Sequence, residues 1–302
     1  MIIELNDTST KEIAAELLRA RQSVGGTGGM VHTLIVVAED HNSADVFEAA
    51  QASARVHPSR VIVVVYSDSG DPHLDAEIQV GEGTPGDLLA LRIHGSEIRE
   101  HAGSVILPLL LPDSPTIVWW PHEAPENPAN DPVGALGDRR ITDAAGSENP
   151  KVALTTRARN HTPGDTDLAW TRLTRWRALL AASLDQYPHT VTGAVVKAAH
   201  DNAPAMLLAA WLEDRLDVEA RMEVHERPGV SEVRLETADG DIVINRGNSD
   251  AIALYNVPGQ PERKVALKRR PLTELLTEEL QRMDADDIFE AAVGRVLVKV
   301  GP

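Results

Sequence analysis

The chain has 302 residues, a formal charge of −17 and no cysteine; 42% of its residues are hydrophobic and 25% charged, the make-up of a globular protein with cores to bury. The acid excess excludes nucleic acid and an anionic membrane surface as main partners, and the missing cysteine excludes disulfides, thiolate catalysis and cysteine-ligated zinc. No apolar run is long enough to span a membrane and no basic, then apolar leader opens the chain, so a cytoplasmic protein is expected.

Taken in chain order, residues 2–5 read as a short strand, and Asp7 and Thr8 offer caps for a helix near 10–23 with Ile13, Leu17 and Leu18 on one face. Gly25 to Gly29 is a loop. His32 to Ala38 and Arg60 to Tyr66 are nearly continuous apolar runs, the pattern of strands covered on both faces. A helix capped by Ser43 between them makes a βαβ unit with parallel strands. Leu74–Val80 and Asp87–His94 then read as a hairpin around a Gly/Pro-rich loop.

Leu107 to Pro121 (LPLLLPDSPTIVWWP) is an apolar element, a turn and a buried strand. Alternation along that strand sends Trp119 and Trp120 to opposite faces, so one is expected in the core and the other outward. Pro121, Pro125, Pro128 and Pro132 mark a loop, and Asp138 to Asp143 a compact charged segment with one last strand. A helix near 149–159 follows. A long helix over 166–184 carries Leu173, Trp176, Leu180 and Leu184 on one stripe, with Arg172, Arg175 and Arg177 off it. Asn202 caps a helix with Pro204 in its first turn. Strands at 190–198, 219–226, 230–237, 241–246, 250–256 and 263–268 come next, with Asp239-Gly240 as a hairpin turn, and two helices close the chain. The expected fold is an α/β N-terminal domain with a mainly parallel sheet over 1–162. An α+β domain with an antiparallel sheet and helices is expected over 163–302.

The chemistry search is negative. Gly81 to Gly86 matches G-x-G-x-x-G, but it joins two strands rather than a strand and a helix, and Glu82 would repel phosphate. No Walker loop, G-x-S-x-G elbow or H-E-x-x-H motif occurs, and the eleven histidines are scattered. No catalytic residue, cofactor or metal site is expected. Two features exceed what a core requires. Five tryptophans stand against two phenylalanines and three tyrosines, and tryptophan is common where proteins bind each other. Arginines cluster at Arg139 and Arg140, at Arg172, Arg175 and Arg177, and with lysines over 263–270. On these grounds the candidates for partner binding are Trp119, Trp120, Trp170, Arg139, Arg140, Arg172 and Arg175.

LPLLLPDSPTIVWWP (107–121), DRRITDA (138–144) and DLAWTRLTRWRALLA (167–181), in that order and spacing, resemble the glucose-6-phosphate dehydrogenase assembly protein family OpcA of actinobacteria and cyanobacteria, the composition suggesting the actinobacterial branch. The resemblance runs essentially the whole length. It implies a non-enzymatic partner of glucose-6-phosphate dehydrogenase that promotes the active oligomer or tunes its kinetics, and so feeds the oxidative pentose phosphate pathway and NADPH supply. It also carries a thiol-linked redox theme, which a chain without cysteine cannot itself serve. A second reading, a sugar-phosphate-binding enzyme or sensor, would use the arginine clusters.

Overall fold

The computed structural model describes residues 1–24, 29–39, 43–67, 71–81, 86–247, 249 and 251–300. Most of the two glycine-rich loops (25–28 and 82–85) and the side chain of Ser43, the expected helix cap, lie outside the described residues. The chain forms two compact units. One comprises Met1–Asp143, Thr162–Thr166 and Leu272–Asp284, the other Ala144–His161, Asp167–Pro271 and Ala285–Pro302. The units are interleaved in sequence, where composition suggests a single cut between 162 and 163.

The first unit is built on an eight-stranded sheet: β1 (Ile2–Leu5), β2 (Thr33–Glu39), β3 (Ser59–Ser67), β4 (His73–Val80), β5 (Gly86–His94), β6 (Thr116–Trp119), β7 (Arg139–Thr142) and β8 (Asp165–Asp167). Their order is β1-β4-β5-β3-β2-β6-β7-β8. The pairs β3–β5, β2–β3, β2–β6 and β6–β7 are parallel, while β4 and β1 add antiparallel strands at one edge. The expected mainly parallel sheet is therefore the one observed, and the hairpin lies where the alternation placed it. On one face, Ile35, Val37, Ile62, Val64, Leu89 and Leu91 pack with Ile13 and Leu17 of α1 (Thr10–Val24) and with Ile106 of α4 (Ala102–Ile106). The other face is covered by α2 (Ser43–Val56), which in turn meets α9 (Leu272–Glu279). Covering both faces is what makes continuous apolar runs such as Leu34–Ala38 and Val61–Val65 stable as strands.

Gly86 shows how closely β5 approaches β3. Its φ of +117° is a conformation open to glycine, and a Cβ there would run into the Ser59 carbonyl oxygen. A short helix, α3 (Ser96–Glu100), follows β5.

The second unit holds a six-stranded sheet of β9 (Val191–Ala198), β10 (Ala220–Val224), β11 (Val230–Thr237), β12 (Ile242–Asn245), β13 (Ile252–Asn256) and β14 (Arg263–Ala266). The order is β10-β9-β11-β12-β13-β14. All its pairs are antiparallel except β9–β10, whose parallel pairing requires the crossover through α8 (Ala203–Leu216). Asn202 caps α8 as expected, accepting from the Ala205 N–H at 2.9 Å. The helices α5 (Pro150–Arg159), α6 (Leu168–Thr171), α7 (Thr174–Gln186) and α10 (Asp287–Val300) complete the unit.

The single helix expected over 166–184 is broken into α6 and α7. The carboxylate of Asp167 caps α6 through the Ala169 N–H at 2.8 Å, and Leu168–Thr171 are all buried. The Thr171 carbonyl oxygen then accepts from the Thr174 hydroxyl at 3.0 Å and from the Arg270 guanidinium. Side chains thus satisfy the backbone at the break, which lets the helix change course.

Candidate functional site

In an open α/β sheet, ligands meet the carboxyl ends of the strands where the strand order reverses. Here the chain runs outward from β2 through β3 to β5 and then returns to β6 on the other side of β2. A cleft of about 560 Å³ lies at that point, lined by the ends of β2 and β3, by α3 and by the segment after β6. Its charge is set by few groups. Arg99 pairs with Glu39 at 3.0 Å, and its guanidinium lies 4.3 Å from the centre of the Tyr66 ring. Burial, and next the nearby Asp131 carboxylate, hold the Tyr66 phenol far above its ordinary range, so it stays protonated. Among the described lining residues, Glu39, Glu100, Glu123 and Asp131 oppose the single guanidinium of Arg99. A carboxylate-rich cleft repels phosphate, and the loop that would cradle one after β2 begins Glu39-Asp40 with no glycine.

The seven residues singled out in the sequence do not converge. Trp119 and Trp120 do point to opposite faces, but both are buried, at 0% and 2% exposure, so the expectation of one outward tryptophan is corrected. Trp120 joins the core on the α1 face, and Trp119, paired with Val36, lies on the α2 face. Both faces of the sheet are covered, so neither ring needs a partner protein.

Arg139 and Arg140 are also buried, inside the first unit. The Arg139 guanidinium donates to Glu279 Oε1 at 2.6 Å, to the Asp284 carbonyl at 3.2 Å and to the Arg282 carbonyl, holding the segment 272–284. Arg140 pairs with Asp165 and donates to the carbonyls of Gly137 at 2.8 Å and Pro163 at 2.7 Å. In the second unit, buried Trp170 donates from its indole to Asp286 Oδ2 at 2.9 Å, and the Arg177 guanidinium stacks 3.6 Å from its ring centre. The other Asp286 oxygen accepts the N–H groups of Ile288 and Phe289 at the start of α10. Arg172 is half-buried. Arg175 is exposed and donates to the Lys268 carbonyl at 3.3 Å. Arg139 and Arg140 of DRRITDA thus fasten the first unit internally, and Trp170 and Arg177 of DLAWTRLTRWRALLA the second.

Sequence reading missed one constellation. His73 and His94 face each other across β4 and β5, and Asp75 stands two residues along the same face. The signal was present: a hairpin closing at Val80 and Asp87 sets 73 against 94. Taken along the chain the histidines look scattered; only the register across the hairpin pairs these two.

The fold is a Rossmann-like α/β unit combined with a mainly antiparallel α+β unit. Residues 50–159 match the N-terminal domain, and residues 163–293 the C-terminal domain, of a family described as the glucose-6-phosphate dehydrogenase subunit. The chain belongs to this OpcA family of glucose-6-phosphate dehydrogenase subunits. No curated protein matches it. Similar solved structures include an aldose-aldose oxidoreductase from Caulobacter crescentus, at 9% identity and a TM-score of 0.47 over 89% of this chain and 96% of that one. A dehydrogenase from Clostridium difficile (7%, TM-score 0.43, 89% and 98%) is another. A third is an NAD binding oxidoreductase from Klebsiella pneumoniae (10%, TM-score 0.40, 89% and 95%).

Proposed function

We propose that the chain is a non-enzymatic assembly factor and allosteric effector of glucose-6-phosphate dehydrogenase, acting in the cytoplasm on NADPH supply through the oxidative pentose phosphate pathway. The observation that carries this reading is the pair of family matches, one to each half and in sequence order, both to domains of a dehydrogenase subunit. The acidic cleft agrees with it, because it is ill suited to a dinucleotide or sugar phosphate. So does the employment of Arg139, Arg140 and Arg270 in internal bonds, which removes much of the cationic surface a phosphate sensor would use.

The mechanism is linkage. A protein that binds the active oligomer of the dehydrogenase better than its inactive form shifts the population by that difference in affinity, and tenfold needs only about 1.4 kcal/mol. Of the residues first singled out, we take Arg175 as the partner contact, because it is the exposed one. Its guanidinium donates to the Lys268 carbonyl oxygen, and Arg263 and Lys264 of β14 are exposed as well. The test is NADPH formation by the cognate dehydrogenase with and without this chain. A saturable change in rate or apparent substrate affinity is expected, Arg175→Glu should weaken it, and the chain alone should form no NADPH. Unchanged kinetics at micromolar excess, or turnover by the chain alone, would overturn the reading.

A further inference from the structure

We propose that His73 Nε2, His94 Nε2 and Asp75 Oδ2 form a binding site for a divalent ion of the zinc type, at the carboxyl ends of β3 and β5. Asp75 Oδ2 lies 3.4 Å from His73 Nε2 and 3.3 Å from His94 Nε2, and the three ligand atoms all fall within 4.8 Å of one another. Ligand bonds of about 2.0–2.1 Å arranged tetrahedrally place donor atoms about 3.3 Å apart. Two edges of the tetrahedron are therefore already set. The imidazole rings stack with centres 3.8 Å apart and planes at 8°, and a pivot about the soft terminal torsion of each ring brings their lone pairs together.

The hydrogen bonding around the site orients its donor atoms toward one point. His73 Nδ1 lies 2.6 Å from the Asp71 carbonyl oxygen, which can only accept, so Nδ1 carries the proton. In neutral His73 the Nε2 lone pair then faces an oxygen lone pair of Asp75. A ring N–H bound to a backbone carbonyl is also the usual outer support of a metal-ligating histidine. Asp75 is supported in the same way. Its Oδ1 accepts the Asp7 N–H at 2.9 Å, which leaves Oδ2 aimed at the rings. Two imidazole nitrogens with one carboxylate oxygen suit Zn²⁺, Co²⁺ or Ni²⁺ and not the hard ions Mg²⁺ and Ca²⁺. The side chains of His73 and Asp75 are about 30% exposed, so an ion has an entry path and a water can complete its coordination.

This inference stands apart from the dehydrogenase reading, and its test needs no partner. The full chain, stripped with chelator, is titrated with ZnCl₂ by calorimetry and with CoCl₂ by visible absorption, and its melting temperature is followed with each ion. One equivalent should bind, with the strong visible bands of tetrahedral Co²⁺ and a raised melting temperature, whereas MgCl₂ should have no effect. His73→Ala and His94→Ala should each weaken binding by more than about 100-fold, beyond the cost of losing an outer-shell partner. Asp75→Asn keeps the shape and should weaken it too. Far-UV circular dichroism in chelator shows whether each variant is folded. Absence of saturable Zn²⁺ binding by the parent chain, or equal binding by folded His73→Ala and His94→Ala variants, would overturn the proposal.

Discussion

Cutting the bond between Arg139 and Glu279 tests how the segment 272–284 is held in the first unit. Both residues are buried, at 4% and 6% exposure, and their 2.6 Å contact joins residues 140 apart in sequence. Removing one member of a buried pair leaves the other charge uncompensated, at a cost of about 3–5 kcal/mol. Glu279→Leu should fall at the low end, about 3 kcal/mol, because the guanidinium keeps the carbonyls of Arg282 and Asp284. Arg139→Met should fall nearer 5 kcal/mol, roughly, since it takes the guanidinium from a carboxylate and two carbonyls together. The double variant buries no charge and should recover at least about 2 kcal/mol of the summed losses. Amide hydrogen exchange along α9 reads the effect locally, where a loss of about 3 kcal/mol is roughly a 100-fold fall in protection. Losses below about 1 kcal/mol in both single variants, the level of an exposed ion pair, would refute the reasoning.

Trp170→Phe keeps the ring in the core but removes the indole donor to Asp286, so the second unit should lose about 1–2 kcal/mol in urea unfolding, and a neutral result would show that bond to be idle. His32 is buried, and burial, with His57 beside it as the lesser cause, pushes its imidazole down to about 4 from the usual 6.5. Between those values the unfolded chain binds a proton that the folded chain does not. Stability from this residue is therefore complete above pH 6.5 and is lost as pH falls toward 4, by about 3 kcal/mol in total. His32→Asn should flatten the dependence of stability on pH in that window, and an unchanged slope would contradict the assignment.

Much of the fold was legible because its signals are local. Leu34–Ala38 and Val61–Val65 are too continuously apolar for a strand with a wet face, and Asp239-Gly240 marks the β11–β12 turn. What the sequence hid is long-range pairing. Nothing near Glu279 says that its partner is Arg139, and nothing near Trp170 says that Asp286 will accept its indole proton. The same gap made buried tryptophans and arginines look like surface anchors. Trp119 and Trp120 alternate as a strand requires, but alternation cannot tell that α2 covers the second face. The His73–His94 pair was open to inference, since it follows from hairpin register. The parallel placement of β10 beside β9 was less so, because a strand–helix–strand passage also fits an antiparallel sheet with an inserted helix.

The most direct test of assembly with glucose-6-phosphate dehydrogenase is mass. Sedimentation velocity of the cognate dehydrogenase, titrated with this chain at physiological salt, should yield a heavier boundary containing both proteins. The dehydrogenase should move into a single oligomeric state as the chain saturates it. Two boundaries that keep their separate sedimentation coefficients at every ratio, up to tens of micromolar, would contradict the account.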